Sequence, residues 1–209
     1  MQPMIGRLLL WLIESHRAGA DRYGPQLRTL HEWLLEKYHL ASDVHVERLF
    51  IGRSRQAEDL VRQNQFVYLQ PVDSQGPMLP ILAVRFDFAH EPPLLSLQVA
   101  LFRTMNEDQE VPNAVAFRFE TAEGPGVHCY YHAQPVSRFR GSDDPRHDLP
   151  IPTWIPDSQP AFPIDANNPV ALFVAMLVSL YGSHAARWLQ ENGYMGELNR
   201  YLEGTRFRC

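Results

Sequence analysis

The sequence predicts an α+β fold, in which an antiparallel β-meander of about four to five strands carries the N-terminal and C-terminal helices on one face. The first observation is periodicity: apolar residues recur at helical spacing near both ends of the chain and alternate with a period of two between Gln65 and Arg138. The second is the shortness of the breaks between the alternating segments. The break "EGPG", residues 123–126, has the glycine and proline content of a tight turn, whereas parallel strands need a long crossover.

Length and composition indicate a single folded domain. The chain has 209 residues, of which 45% are hydrophobic and 21% charged, as in ordinary soluble globular proteins. We therefore expect one domain over residues 1–209. Its parts are a helical N-terminal part, the antiparallel sheet, a long proline-rich loop and the C-terminal helices, at residues 1–64, 65–138, 139–168 and 169–209.

Three helices are predicted in the N-terminal part. The first covers about residues 4–17, with Leu8 facing inward and Arg7 outward. The second begins near Pro25, because proline suits the first position of a helix. The third is short and follows Ser54, a suitable N-cap residue.

Five alternating segments are the predicted strands, and the alternation assigns their side chains to two faces. Their sequences are "FVYLQP", "LPILAVRFDFAH", "LLSLQVALFRTM", "NAVAFRFETA" and "VHCYYHAQPVSR". One face is apolar and is the expected surface for the helices; it includes Leu82, Val84, Phe86, Val115, Phe117, Phe119, Cys129 and Tyr131. The other face is hydrophilic and includes Arg85, Asp87, Ser96, Gln98, Arg118, Glu120, His128, Tyr130, His132 and Gln134.

Three helices are predicted after the proline-rich loop. Asn168 and Pro169 form a cap and first-turn pair for the apolar helix "PVALFVAMLVSLYG", which Gly182 ends. The next helix, "SHAARWLQENG", ends at Gly193, and a last short helix lies in "MGELNRYLEG".

This order of elements, with helices, a meander, a long proline-rich loop and closing helices, resembles that of ubiquitin-conjugating folds. The loop after the meander, residues 139–168, contains no cysteine. We therefore do not expect the activity of that family, since likeness of fold alone says little about function.

Composition excludes several classes of chemistry. The net charge of -5 and the pI of about 6.0 argue against a general nucleic-acid-binding surface. Cys129 and Cys209 are the only cysteines, so we expect no disulfide framework and a cytoplasmic location. The only lysine is Lys37, so P-loop, Schiff-base and lysine-dependent nuclease chemistry all lack their cation.

The stretch "VHCYYHAQPVSR" contains two histidines and a cysteine, but its spacing argues against a metal or thiol site. His128 and His132 are about 13 Å apart in a strand that rises about 3.3 Å per residue, too far to share one metal ion. Cys129 faces away from both histidines, which disfavours a nucleophile pair. We therefore expect no metal site and no cofactor.

Two interpretations of the hydrophilic face remain open, beside a polar protein-binding surface. In the first, the face is solvated and its arginine and carboxylate side chains form ion pairs. In the second, it is a catalytic cleft in which histidine and carboxylate side chains exchange protons and arginines hold an anion. The catalytic candidates are His128, His132, Asp87 and Glu120, and the anion-binding candidates are Arg85 and Arg118.

The leading functional hypothesis is a non-catalytic bacterial cytoplasmic protein that binds another protein, as an accessory subunit of a multi-protein system. Trp154 and Phe162, in the proline-rich loop, are the predicted anchors for the partner. No membrane partner is expected, because no apolar run reaches the roughly 18 residues of a membrane span. The alternatives are a hydrolase or nuclease-like enzyme that uses the hydrophilic face, and a single-stranded nucleic-acid-binding protein. Single-stranded nucleic-acid binding would use Arg138, Arg140 and Arg146.

Overall fold

The structure of the chain, a computed structural model, describes most of the sheet and all three C-terminal helices. The bodies of the three predicted N-terminal helices lie outside the described residues, apart from a few positions. The described residues are 4–8, 29–30, 32, 66–69, 72–73, 77–87, 94–103, 114–121, 130–140, 148–151 and 161–203.

Within the described residues, an antiparallel sheet of seven strands forms the centre of the fold, and a two-stranded antiparallel sheet accompanies it. Its strands are β1 (Phe66–Tyr68), β2 (Val72–Asp73), β3 (Pro77–Asp87), β4 (Leu94–Arg103), β5 (Ala114–Glu120), β6 (His132–Pro135) and β9 (Phe162–Pro163). They follow the order β1-β3-β4-β5-β6-β9, and β2 also pairs with β3. Strands β7 (Arg138–Arg140) and β8 (Asp148–Pro150) form the small sheet. The predicted α+β class with an antiparallel sheet is confirmed.

The last predicted strand is shorter than its alternating pattern suggests. Within residues 130–138, the described part of that segment, strand β6 covers His132–Pro135, and the backbone bends at Tyr130 and again at Ser137. The bend at Ser137 turns the chain out of the large sheet and into β7. The proline-rich segment then supplies β8 and β9, and β9 returns to pair with β6.

Three helices lie in the described range 161–203, and their ends agree with the predicted signals. Helix α1 (Pro169–Tyr181) begins after Asn168, whose side-chain oxygen accepts a hydrogen bond of 3.0 Å from the amide of Ala171. It ends at Gly182, which has a φ of 57°. Helices α2 (Ser183–Glu191) and α3 (Tyr194–Leu202) are joined through Gly193, with a φ of 73°. Both angles lie in the left-handed region that favours glycine.

The N-terminal residues pack against this helical layer. Residues 4–8 are helical, and Met4, Ile5 and Leu8 are buried in the core. Arg7, on the exposed side, forms a salt bridge with Glu197 of α3. In the described ranges, no helix combines the length and the apolar character that crossing a membrane requires.

The main core lies between α1 and one face of the large sheet. Helix α1 contacts β4 and β5, and nearly all of its first nine residues are fully buried. This is the face that the alternation predicts for the helices. The sheet residues in this core include Leu82, Val84, Leu95, Leu97, Val99 and Phe119.

The opposite face of the sheet is also covered. Strand β7 follows β6 in sequence and contacts β4. In the sheet, β5 lies between β4 and β6, so the chain crosses one face of the sheet between β6 and β7. On the helix-bearing face Val115 and Phe117 are exposed, whereas Ala100, Phe102 and Ala116 on the opposite face are buried. We therefore place β7 over the opposite face, which is the predicted hydrophilic one.

Burial changes the interpretation of that hydrophilic face. Gln98, His132 and Gln134 all lie on it, and all three are buried. A solvated outer surface is therefore the wrong description for this part of the sheet. Alternation marks this face as polar but does not reveal what covers it.

Candidate functional site

The strand register brings the polar residues together in two rows. In an antiparallel pair, residues that lie directly opposite each other project to the same face. The first row runs from Ser96 on β4 through Glu120 on β5 to His132 on β6. The second row joins Gln98, Arg118 and Gln134. We call these six residues the polar cluster.

Glu120 is the centre of the polar cluster. Its Oε1 accepts a hydrogen bond of 3.1 Å from the hydroxyl of Ser96. Its Oε2 lies 3.0 Å from Nε of Arg118 and 3.5 Å from Nε2 of His132. The Glu120 side chain is only 12% exposed, so its charge is held largely by these neighbours.

The imidazole of His132 has an acceptor beside each of its nitrogens. Nδ1 lies 3.2 Å from the carbonyl oxygen of Tyr130, and Nε2 faces the carboxylate of Glu120. The Nδ1 contact is a hydrogen bond when Nδ1 carries a proton, and the Nε2 contact with Glu120 is an ion pair when the ring is doubly protonated. The ring of Tyr130 packs edge-on against it, with 5.8 Å between centroids. His132 has no exposed surface.

Gln134 completes the second row through Arg118. With its amide oxygen turned toward the guanidinium, Gln134 accepts hydrogen bonds from Nε, at 3.0 Å, and from Nη2 of Arg118. Arg118 therefore contacts both the carboxylate of Glu120 and the neutral amide of Gln134.

The contacts within the cluster shift two pKa values in opposite directions. For His132, the hydrogen bond to Glu120 raises the pKa; burial opposes this, and the carbonyl of Tyr130 adds to it, so the pKa is raised above 6.5. For Glu120, burial by itself raises the pKa. The hydrogen bond from His132, the charge of Arg118 and the hydroxyl of Ser96 together outweigh burial, and the pKa is lowered below 4.5. Glu120 is therefore ionised at neutral pH, and His132 keeps its second proton to a higher pH than an ordinary histidine does.

This geometry favours a structural network over proton-transfer catalysis. A general base needs a ring nitrogen that can reach the proton of a substrate. Both nitrogens of His132 instead face protein acceptors, and the ring is closed to solvent. The catalytic role of His132 and Glu120 stays a prediction, but these contacts supply a different role for both residues.

The other predicted site residues are only partly placed. His128 and Trp154 lie outside the described residues, as do the side chains of Arg85 and Asp87. The backbone of Arg85 pairs with Ser96, which puts it at the end of the first row. Within the described ranges, no three histidine, cysteine, aspartate or glutamate side chains could hold a metal ion.

Phe162, a predicted partner anchor, lies on β9 with 55% of its surface exposed. It pairs with Ala133, which pairs with Phe119, so its side chain projects to the helix-bearing face. On that same face Val115 and Phe117 are 50% and 37% exposed. We call Val115, Phe117 and Phe162 the apolar margin.

Sequence reasoning placed Val115 and Phe117 on the apolar face but missed their exposure. Alternation gives the face of a side chain and does not say how far the helices extend over it. The sequence feature that comes closest to indicating this exposure is Pro135. It pairs with Phe117 near the point where the chain leaves the sheet.

The outer edge of β9 is closed to strand addition. The amide of Ile164 donates a 2.8 Å hydrogen bond to the carbonyl of Tyr131, so residues 162 and 164 direct their backbone groups toward β6. The intervening Pro163 occupies the position whose N–H would point outward, and proline has none. Proline at such a position is a common protection of sheet edges.

No protein-family model, curated protein or solved structure matches the chain. The resemblance to ubiquitin-conjugating folds therefore remains one of element order alone. The function has to be argued from the geometry of the polar cluster and of the apolar margin.

Proposed function

We propose that the chain is a non-catalytic protein-binding subunit of a multi-protein system in the bacterial cytoplasm, and that it contacts its partner through the apolar margin. The partner is a different protein with an apolar contact surface. The observation that carries the proposal is the exposure of Val115, Phe117 and Phe162 on one face of the sheet. Clustered apolar side chains at a surface, aromatic ones above all, are typical of protein interfaces.

The contact is made by side chains and not by an added strand. Pro163 leaves no outward N–H at its position on β9, so backbone pairing with a partner strand is disfavoured there. The same feature disfavours edge-to-edge pairing of two copies of the chain. Packing of a partner's apolar side chains over Phe162 and Phe117 needs no backbone donor.

The enzyme alternative, a hydrolase or nuclease-like protein, has less support. It requires His132 or Glu120 to reach a substrate, whereas His132 has no exposed surface and the carboxylate of Glu120 is shared among three neighbours. Single-stranded nucleic-acid binding also has less support. Of the three arginines predicted for it, Arg138 alone has a described side chain, which is exposed, and the net charge of the chain is -5.

The test is affinity purification of the tagged chain from its host, with matched variants. Phe162→Asp places a charge in the apolar margin, and Gln190→Asp places the same charge on an exposed position of α2. We expect one protein to be captured by wild type and by Gln190→Asp, and at least about tenfold less of it by Phe162→Asp. Trp154→Ala tests the second predicted anchor in the same way.

The purified partner should then bind purified wild type and Gln190→Asp with equal affinity and Phe162→Asp more weakly. Equal binding by wild type and Phe162→Asp, with both chains folded by circular dichroism, would exclude the apolar margin as the contact surface. A dimer of the chain that dissociates in Phe162→Asp would mean that the occupant is a second copy, which contradicts an accessory subunit.

A further inference from the structure

The sequence contains one Asn-Gly pair, Asn192–Gly193, and it lies at the junction between α2 and α3. Both residues are exposed. An asparagine followed by glycine is especially prone to spontaneous deamidation, because glycine has no side chain that hinders attack by its own backbone nitrogen. The pair is therefore a candidate site for a chemical modification that needs no enzyme.

Deamidation proceeds in two steps. The backbone nitrogen of Gly193 bonds to Cγ of Asn192, the bond between Cγ and Nδ2 breaks, and Nδ2 leaves as ammonia with the proton that the Gly193 nitrogen loses. Water then opens the resulting succinimide ring at either of its carbonyls. Opening at Cγ gives aspartate, and opening at the backbone carbonyl gives isoaspartate. The first step requires the Gly193 nitrogen to lose its proton and to reach Cγ.

The folded junction holds both reacting groups in hydrogen bonds. The N–H of Gly193 donates to the carbonyl oxygen of Gln190 at 3.1 Å. Nδ2 of Asn192 donates to the carbonyl oxygen of Trp188 at 3.0 Å, and the backbone N–H of Asn192 donates to the same oxygen at 3.1 Å. The attacking nitrogen and the leaving group are thus both bound to the last turn of α2. The attack requires these hydrogen bonds to open first.

An aromatic pair stabilises the same junction. The rings of Trp188, on α2, and Tyr194, the first residue of α3, are stacked with 5.5 Å between centroids and 27° between planes. Both side chains also pack against the hydrophobic core. Because the stack spans the Asn-Gly pair, it opposes the local opening that deamidation needs.

The products fit the junction less well than asparagine does. A carboxylate at position 192 cannot donate to the Trp188 carbonyl, and it sets a negative charge against that oxygen. The position is also the C-terminal end of α2, where the helix dipole disfavours negative charge. Isoaspartate in addition inserts a methylene into the main chain next to Gly193, whose φ of 73° directs the chain into α3. Either product therefore weakens the connection between the two helices.

We propose that Asn192–Gly193 is a site of spontaneous deamidation that the closed junction of α2 and α3 protects, and that the reaction weakens this junction once it occurs. The site reacts when the junction opens, and a modified chain opens more readily than an unmodified one. The inference concerns the isolated chain and does not depend on the proposed function.

The test is peptide mapping by mass spectrometry of the isolated full chain during incubation at pH 8. We expect Asn192 to be converted to aspartate and isoaspartate in the chain unfolded by guanidinium chloride. In the folded chain the rate should be at least about tenfold lower, because only molecules with an open junction react. Tyr194→Ala, which removes the stack, should raise the rate in the folded chain, whereas Asn199→Ala, at an exposed position of α3, should leave it unchanged.

Equal rates in the folded and the unfolded chain, or no conversion in the unfolded chain, would overturn the protected site. If Tyr194→Ala does not fold, the comparison of folded and unfolded wild type still decides the matter.

The effect of the product is measured with Asn192→Asp, which should unfold at a lower urea concentration than Gln190→Asp. The second variant adds the same charge to the last turn of α2 and keeps the contact between the Asn192 side chain and the Trp188 carbonyl. Equal urea midpoints of the two variants would contradict the weakening of the junction.

Discussion

Nε2 of His132 lies 3.5 Å from Oε2 of Glu120, in a ring that has no exposed surface. The two residues are directly opposite each other on β6 and β5, so the contact connects neighbouring strands. Arg118 also contacts Glu120, which makes the carboxylate the shared counter-charge of two cations. Stability and its response to pH both depend on this arrangement.

The first prediction concerns the removal of the shared carboxylate. In Glu120→Gln, Arg118 and His132 lose their counter-charge in a largely buried site. We expect the free energy of unfolding to fall by about 3 kcal/mol, as for other buried ion pairs that lose one partner. Urea denaturation at pH 6 measures this change.

Ser96→Ala is the matched control for that measurement. It removes one neutral hydrogen bond to the same carboxylate, and we expect a loss of about 1 kcal/mol. An equal effect of the two substitutions would mean that the charge of Glu120 contributes nothing beyond its hydrogen bonds.

The second prediction is a stability maximum between acid and alkaline pH. The pKa of Glu120 is lowered, so its contribution is present above about pH 4.5 and is lost as the pH falls through the folded-state pKa. The pKa of His132 is raised, so its contribution is present below about pH 6.5 and is lost as the pH rises through the folded-state value. Urea denaturation from pH 3 to pH 9 should show both declines.

Comparison with Glu120→Gln isolates the pair from other titrating groups. The difference in unfolding free energy between wild type and this variant should be largest between about pH 4.5 and pH 6.5. A difference that is independent of pH would contradict the ionised pair.

The third prediction tests the start of α1. Asn168 accepts a hydrogen bond from the Ala171 amide and donates one of 2.6 Å to the carbonyl of Tyr201, so it joins α1 to α3. Asn168→Ala should lower the free energy of unfolding by about 1 to 2 kcal/mol. Asn199→Ala, at an exposed position of α3, should change it by less than about 0.5 kcal/mol. Thermal or urea denaturation at one pH distinguishes these outcomes.

The fourth prediction compares two glycines three residues apart. Gly193 has a φ of 73°, which other residues rarely adopt, so Gly193→Ala should destabilise by about 1 kcal/mol. Gly196 lies within α3, and a β-carbon there would meet no atom within 4 Å. Gly196→Ala should therefore stabilise by about 0.5 to 1 kcal/mol. Effects of the same sign in urea denaturation would argue against the boundary between α2 and α3.

Local signals in the sequence were enough to predict the C-terminal helices and the faces of the central strands. Asn168, Gly182 and Gly193 act within a few residues of themselves, so their effect can be read without a tertiary structure. The period of two likewise placed Glu120 and His132 on one face, where the register joins them.

Two features of the site could not be predicted in this way. The burial of His132 depends on which elements cover that face of the sheet, which no local pattern encodes. Strand β9 has only Phe162 and Pro163, too few residues to show a period. The exposure of Phe117 depends on how far α1 extends over the sheet, which is a matter of packing between elements distant in sequence.

The most direct test of the proposed function is photo-crosslinking in the host. A photoreactive phenylalanine analogue replaces Phe162 in one chain and the exposed Gln190 of α2 in another. We predict that position 162 gives a crosslink to one protein, that position 190 gives none to that protein, and that Val115→Asp in the first chain removes the crosslink. Crosslinks of equal yield from both positions, or none from position 162, would contradict a partner bound at the apolar margin.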